Sequence, residues 1–381
     1  MSSLDTRYPG IDDLRRKARR RIPHFMWEYL DSGTGREAGV RRNREALDRV
    51  LFQPQVLRGA VTADLSVRLM GQSHPLPFGI APVGMSGAIW PGAERILAAL
   101  ARRHSIPYGL STMATRGPED LADVIGDQGW FQLYPPGQRE IRADMLCRAR
   151  EAGFHTLVLT VDVPTSSRRE RQSRGGLTHP PTLTLRTLAH VARTPAWAFG
   201  TARLGMPRMR CIERYSDHKG ALPSTAHIGY LLRIAPEWDY VRMLREEWRG
   251  RFVVKGVLLP DDALRLKAAG VDAVWISNHS ARQFDAAPAA IGAVAPIRAA
   301  VGPDYPLLYD SGIEGGLDIL RAIALGADFV FLGKAFHYAL GALGAAGAAH
   351  LVAMLESDLR ANLGQLAAGR LADVRDCLVR G

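Results

Sequence analysis

Residues 251–277 read RFVVKGVLLPDDALRLKAAGVDAVWIS, and how this stretch divides decides the fold. Its first seven residues form an almost unbroken apolar run, interrupted by Lys255. A Pro-Asp-Asp start then opens a helical pattern that stops at Gly270, as helix ends do. A second apolar run, DAVWIS, follows at 272–277. Strands this uniformly apolar need cover on both faces, and helices lying between parallel strands supply it. The stretch therefore reads as strand, helix, parallel strand.

The same unit recurs on either side. Upstream lie PFGIAPV (77–83), PYGLST (107–112), GWFQLY (129–134) and HTLVLTVDVP (155–164); downstream lie YPLLYD (305–310) and DFVFLG (328–333). Helical patterns such as PGAERILAALARR, REIRADMLCRAREAG and GGLDILRAIALG separate them. Eight such units in about 260 residues predict a closed (β/α)₈ TIM barrel rather than an open doubly wound sheet. The expectation is one domain over 1–381. It comprises an N-terminal helical arm over 1–76, the barrel over 77–335 with an insert after strand four at about 172–235, and C-terminal helices over 336–381. Beyond the helix-like stretch ending EYLDSGTG, the arm reads as irregular chain.

Composition limits what this barrel can do. With 381 residues, 47% hydrophobic and 23% charged, the chain is long enough for a large core. Cys147, Cys211 and Cys377 are scattered and odd in number, which suits neither a disulfide framework nor a zinc site and points to a reducing, cytoplasmic compartment. No His spacing suggests a metal, and none is expected. The start MSSLDTRYPGIDDL has no apolar core of export type. AFHYALGALGAAGAAHLVAML, with His337 and His350, reads as a packed helix rather than a membrane span.

The net charge of +11 is unevenly spread. One basic run is RRKARRRIPH (15–24). Another is the stretch from Arg174 to Arg214, with seven Arg against one Glu, together with Pro180, Pro181, Pro195, Pro207, Trp197 and Phe199. Such a mix of basic and aromatic residues could serve nucleic acid, anionic lipid or an acidic substrate, or simply solvate an excursion over the surface; nucleic acid is not expected as a partner.

Barrel enzymes build their sites at the C-terminal ends of the strands. In order, those ends carry Pro82-Val83-Gly84, Ser111, Gln132 with Tyr134, Thr160 with Asp162, Lys255, Ser277 with His279 and Arg282, Asp310-Ser311-Gly312, and Gly333-Lys334. A His beside a carboxylate can act as general base, so His279 and Asp162 are paired. Arg169 and Arg282 could clamp a carboxylate bidentately. Lys255 suits a developing negative charge. The Gly-containing turns DSGIEGG and LGK lie where barrels commonly bind phosphate. Base, acid clamp and phosphate-bearing cofactor form one constellation.

SNHSARQFD (277–285) resembles the SNHGGRQLD signature of the FMN-dependent L-2-hydroxy acid oxidase and dehydrogenase family. LTVDVPTSSRRERQSR, FQLY, FVVKGV and DSGIEGGLDILRAIALGADFVFLGKAF are similar to its other motifs, in the same order, from about Ile22 to the C-terminal helix. The resemblance implies FMN and oxidation of a 2-hydroxy acid to the 2-oxo acid, with electrons passing on to O₂, a quinone or a cytochrome. It implies His279 as base, Asp162 as its electrostatic partner, and Tyr134 near the substrate oxygen. Arg169, Arg282 and Tyr29 would bind the carboxylate. Lys255 would stabilise charge on the reduced flavin, and Pro82, Val83, Gly84, Ser111, Gln132, Thr160 and Ser277 would hold its ring. Asp310 would meet the ribityl chain, and Ser311, Gly312, Gly333 and Lys334 the phosphate. It also implies a homotetramer, and a variable insert that is a mobile lid in some members and membrane-associating in others. The last feature would put the chain at the inner face of the membrane.

The departures from the family pattern fall at defined points. Glu314 and Lys334 stand where the family usually has Arg, both in the phosphate subsite. Ser280 and Ala281 replace two glycines. Met113 occupies a position that is often Trp. The rival readings are a flavin barrel of different chemistry, or a non-catalytic basic protein that binds membrane or nucleic acid.

Overall fold

The computed structural model describes residues 3–179, 184–215, 222–223 and 232–379. Pro180, Pro181 and much of the predicted insert (216–221 and 224–231) lie outside the described residues. Eight parallel strands close into a barrel in sequence order. They are β1 (Phe78–Ile80), β2 (Tyr108–Ser111), β3 (Gly129–Leu133), β4 (Thr156–Thr160), β5 (Arg251–Val257), β6 (Ala273–Ile276), β7 (Leu307–Tyr309) and β8 (Phe329–Leu332). Each lies within one of the eight apolar runs, and every described residue of β1 to β4 and β6 to β8 is buried.

Alternation along the strands separates barrel interior from helix-facing shell. Val253 belongs to the interior cluster with Trp130, Trp275, Phe329 and Phe331, whereas Val254 belongs to the outer core. Trp275 stacks on Phe331 with ring centroids 4.1 Å apart, so the barrel is filled rather than hollow. Lys255 follows the parity of Val253 and lies above this floor, its ammonium 5.3 Å from the Trp275 ring. Pairing of β5 with β6 slips by one residue between Trp275 and Ile276, which leaves Gly256 as a bulge at φ +106. A Cβ there would come within 2.5 Å of the Asp162 Cβ. The Lys-Gly pair thus re-aims β5 just where two site residues need room.

The arm is more ordered than its sequence suggests. It holds helices Ile11–Arg19, His24–Asp31 and Ala38–Asp48, then a hairpin of Val67–Leu69 with Gln72–His74. The third helix escapes a hydrophobic reading because its buried positions are Gly39, Asn43 and Leu47, a stripe with one apolar side chain. Leu69 of the hairpin joins the barrel-interior cluster. After β8, helix Lys334–Leu343 packs closely on the Ile11–Arg19 helix: a Cβ on Gly341 would lie 2.5 Å from Ile22 and 3.1 Å from Ala18. The Ala/Gly-rich tail is therefore a close-packing device. No described helix is long and apolar enough to cross a membrane.

Between β4 and β5 the described part of the insert contains helices Leu185–Ala192 and Pro195–Leu204, and Thr178–His179 pairs with Leu222–Pro223. Trp197, read from sequence as part of the basic-aromatic surface, is buried and donates from Nε1 to the Ala88 carbonyl at 2.9 Å. Phe199 does stand out, at 73% exposure, beside Leu185 at 88%.

Candidate active site

At the C-terminal mouth of the barrel lies a cavity of about 430 Å³, within the range of small-molecule sites. Pro82, Val83 and Gly84 after β1 line it, as do Tyr134 after β3 and Lys255 of β5. His279 and Arg282 after β6, Asp310, Ser311 and Gly312 after β7, and Gly333 and Lys334 after β8 complete the wall. Tyr29 from the arm and Arg169 from the loop after β4 reach the same space. Ser111, Gln132, Thr160 and Ser277 are not on its wall; they are buried behind it.

Those four hold the wall in shape. Ser111 Oγ donates to Gln132 Oε1 at 2.9 Å, and Gln132 Nε2 donates to Thr160 Oγ1 at 3.0 Å. This ladder crosses the ends of β2, β3 and β4 and fixes which way the Gln132 amide points. Lys255 Nζ donates to Ser277 Oγ at 2.6 Å and lies 2.8 Å from Asp310 Oδ2. Ser277 in turn donates to the other oxygen of Asp310. A buried ammonium is thus paired and hydrogen-bonded, as burial demands.

His279 Nδ1 lies 3.1 and 3.2 Å from the two oxygens of Asp162. Burial pushes the imidazole below its ordinary pKa, with Lys255 and Arg169 adding to the effect while Asp162 pulls it back up. Burial works against the Asp162 carboxylate too, yet His279 and Lys255 outweigh it and hold that pKa below the usual range. The result is a neutral imidazole whose Nδ1–H faces a carboxylate, leaving Nε2 as the basic atom.

The backbone beneath this pair is unusual. His279, Ser280 and Ala281 have φ of +56, +52 and +55, the left-handed region that disfavours side chains. Asn278 closes the turn by accepting from Ala281 N at 3.2 Å, while its own amide is exchanged with Asn43 of the arm at 2.7 and 2.9 Å. Ser280 N donates to Ser311 Oγ at 3.2 Å, and Thr34 N to the Ala281 carbonyl at 3.1 Å.

The two arginines are pinned at one edge. Arg282 Nη1 donates to the carbonyls of Tyr29 at 2.6 Å and Ser32 at 2.9 Å, at the C-terminal end of an arm helix. Arg169 Nε donates to Ser167 Oγ at 2.9 Å and to the Arg282 carbonyl at 3.2 Å. Tyr29 OH donates to the Gly84 carbonyl at 3.0 Å.

Sequence reasoning missed several wall residues, among them Asp12, Arg15, Asp31, Asn43 and Arg44 of the arm, Val163, Arg233, Gln283 and Tyr338. Arg15 lay in a basic run that was visible only as charge. What singles it out is its place beside the buried positions Ile11, Leu14 and Ala18 on one helix. Gln283 has both amide atoms buried without a protein partner, a cost of about 1–3 kcal/mol that a ligand reaching it would relieve. Among the described residues no cluster of three or more metal-ligating side chains occurs.

Known proteins match this arrangement along nearly the whole chain. Residues 18–380 fit the model of the FMN-dependent dehydrogenase family. L-lactate dehydrogenase of Xanthobacter autotrophicus (strain ATCC BAA-1158 / Py2) is 36% identical over 373 residues, covering 97% of this chain and 95% of that one. L-lactate dehydrogenase of Serratia proteamaculans (strain 568) is 36% identical, covering 97% and 98%. Among solved structures, monotopic membrane protein (S)-mandelate dehydrogenase superposes with a TM-score of 0.91 at 33% identity, covering 98% of this chain and 99% of that one. Mandelate oxidase superposes with a TM-score of 0.81 at 30% identity, covering 98% of each chain.

Proposed function

Because this chain belongs to the family of FMN-dependent dehydrogenases that oxidise 2-hydroxy acids, with FMN as cofactor, we propose that it oxidises an L-2-hydroxy acid to the 2-oxo acid with His279 as general base. The observation that carries this reading is the His279–Asp162 pair opening onto the same cavity as Lys255, Arg169 and Arg282. Those residues suit FMN. A Cβ on Gly84 would meet Met113 Cβ and Tyr29 OH at 3.0 Å, and one on Gly333 would meet Val83 at 3.2 Å, so both positions bring bare backbone to a tightly packed wall that a cofactor can approach closely.

In this reading Arg169 and Arg282 hold the substrate carboxylate, and Tyr29 and Tyr134 border it. His279 Nε2 takes the hydroxyl proton, and Asp162 stabilises the imidazolium that results. Bound FMN supplies the two-electron acceptor. Lys255, with Ser277 and Asp310, offers a fixed positive charge where negative charge develops. Met113, Val163 and Arg233 border the space left for the substrate side chain, the last with its guanidinium 5.8 Å from the Tyr134 ring.

Anaerobic mixing with a panel of L-2-hydroxy acids tests the reading without regard to whether O₂, a quinone or a cytochrome finally takes the electrons. Bleaching of the visible flavin band is expected with at least one acid, and His279→Gln should slow it by ~10²–10⁴-fold. Unchanged bleaching in His279→Gln would sink the assignment of the base. The same proposal includes peripheral contact of the insert with anionic lipid, supported by exposed Leu185 and Phe199 and by the monotopic neighbour. It also includes a homo-oligomeric assembly, for which sedimentation velocity is the check.

A further inference from the structure

At the end of the cavity formed by the turns after β7 and β8, Glu314 and Lys334 take positions that are usually arginine in the family. FMN held in this cavity would end there in a phosphate dianion, so in this reading the cationic charge has to come from other residues. Lys334 supplies only part of it. Its Nζ donates to the Asp31 carbonyl at 2.8 Å, and desolvation, aided by Arg282 and Arg15, pushes its ammonium down to about 7. Arg44, also on this wall, is committed. Nε and Nη2 donate to Asp48 at 3.0 and 2.7 Å, and Nη1 and Nη2 to Asp318 at 2.5 and 2.7 Å.

Arg15 remains. It lines the cavity from the Ile11–Arg19 helix of the arm, with its side chain 42% exposed. Its Nε and Nη2 edge is turned to one oxygen of Asp31, at 2.8 and 2.7 Å. That same oxygen accepts from Tyr338 OH at 2.9 Å, and the other accepts from Arg171 at 2.9 Å. The guanidinium also lies 5.7 Å from the Tyr338 ring. Asp31 therefore fixes the plane and direction of Arg15 while leaving its Nη1 side unspent. An arginine keeps its charge at any working pH, whereas a lysine held near 7 does not.

We propose that Arg15, from the N-terminal arm, is the permanent cation for the flavin phosphate in this chain, replacing the loop arginine whose position Glu314 occupies. Asp31 is its positioning residue. The charge has moved from the loop after β7 to an arm helix packed on the helix that follows β8, where Arg15 still feels the Glu314 carboxylate. Cofactor retention thereby depends on the arm being docked. The inference rests on the assignment of this cavity to FMN, but not on any substrate.

Flavin binding to the full-length chain, stripped of cofactor and followed by flavin fluorescence, tests it with two probes, FMN and riboflavin, which differ only in the phosphate. Arg15→Ala should raise the Kd for FMN at least ~10-fold and leave riboflavin binding unchanged, and Arg15→Lys should restore most of the FMN affinity. Adding Glu314→Arg to Arg15→Ala should also recover FMN binding, because it returns the cation to the loop. An Arg15→Ala chain that binds FMN as tightly as the parent overturns the proposal. So does one that loses FMN and riboflavin equally, since that marks a packing role. Catalytic tests of His279 are independent of either result.

Discussion

Ser280 and Ala281 sit where the signature that SNHSARQFD resembles has two glycines, and both hold a left-handed backbone. For an L residue that conformation costs roughly 1–2 kcal/mol, whereas glycine gives back about 0.5–1 kcal/mol in unfolded-state entropy. Ser280→Gly should therefore stabilise the protein by about 0.5–1 kcal/mol in urea unfolding, provided the Ser280 hydroxyl contributes nothing to the fold. A destabilised variant would show that the hydroxyl carries an interaction worth more than the strain. His279 lies one residue away, and its pKa gives a second prediction. Burial lowers it, so the neutral base persists below the ordinary value of about 6.5 and the rate of flavin reduction should plateau above that point. Asp162 is the group pulling the pKa back up. Asp162→Asn should move the acid limb to still lower pH and cut the plateau rate by ~10²-fold or more, as stopped-flow rates across pH would reveal. The residue types of this turn were legible in SNHSARQFD; its three positive φ angles were not. Single residues do not announce a backbone held in part by the contact between Asn43 and Asn278, 235 positions apart.

At the scale of elements, the insert and the arm behave differently. On helices Leu185–Ala192 and Pro195–Leu204, Leu185, Leu188, Phe199 and Leu204 are exposed among Arg186, Arg193 and Arg203. Each such apolar side chain gains roughly 1.5–3 kcal/mol on full burial, so Phe199→Ser and Leu185→Ser should each weaken binding to anionic vesicles by about tenfold. Turnover of a soluble substrate should be unaffected. Vesicle sedimentation at low and high salt provides the measurement, and an absence of salt-sensitive binding in the parent would remove lipid as the partner. The strands were readable because each is an apolar run bounded by turn residues, and all eight fall inside the runs marked from sequence. The helix Ala38–Asp48 was not readable, because of its buried stripe only Leu47 joins the hydrophobic core, while Gly39 and Asn43 lie against the turn after β6. The hairpin before β1 is equally silent: of its strand residues only Leu69 and His74 are buried. Sequence patterns report burial against apolar neighbours: the arm helices Ile11–Arg19 and His24–Asp31 put Ile11, Leu14, Phe25, Met26 and Leu30 into the core, whereas Ala38–Asp48 also docks through Gly39, the Asn43 amide and the Arg44–Asp318 ion pair.

Across the whole molecule, the cavity wall is held by groups that must stay uncharged as well as by groups that must stay charged. His337 is the clearest of the former. Its ring is 1% exposed, Nδ1 lies 2.9 Å from the Gly333 carbonyl and Nε2 lies 2.7 Å from Ser86 Oγ. It thereby ties the turn after β8 to the helix that follows β1. Burial pushes its pKa down to about 4. The unfolded chain, with an ordinary imidazole near 6.5, then binds the proton more readily than the folded one. The His337 contribution is complete above about pH 6.5, declines as the pH falls, and is lost by about pH 4; it amounts to about 3 kcal/mol. His74 and His279, lowered by burial in the same direction, add to the slope over the acid range. Urea unfolding of the holoenzyme with excess FMN at pH 7.5 and pH 5 should therefore reveal a loss of stability. His337→Gln, neutral at every pH and able to donate to Gly333, should flatten that difference whatever it does to stability at pH 7.5. If the pH dependence of the variant matched that of the parent, the acid sensitivity would have to reside in other groups, and the link between the β1 and β8 turns would not be the acid-labile joint of the cavity.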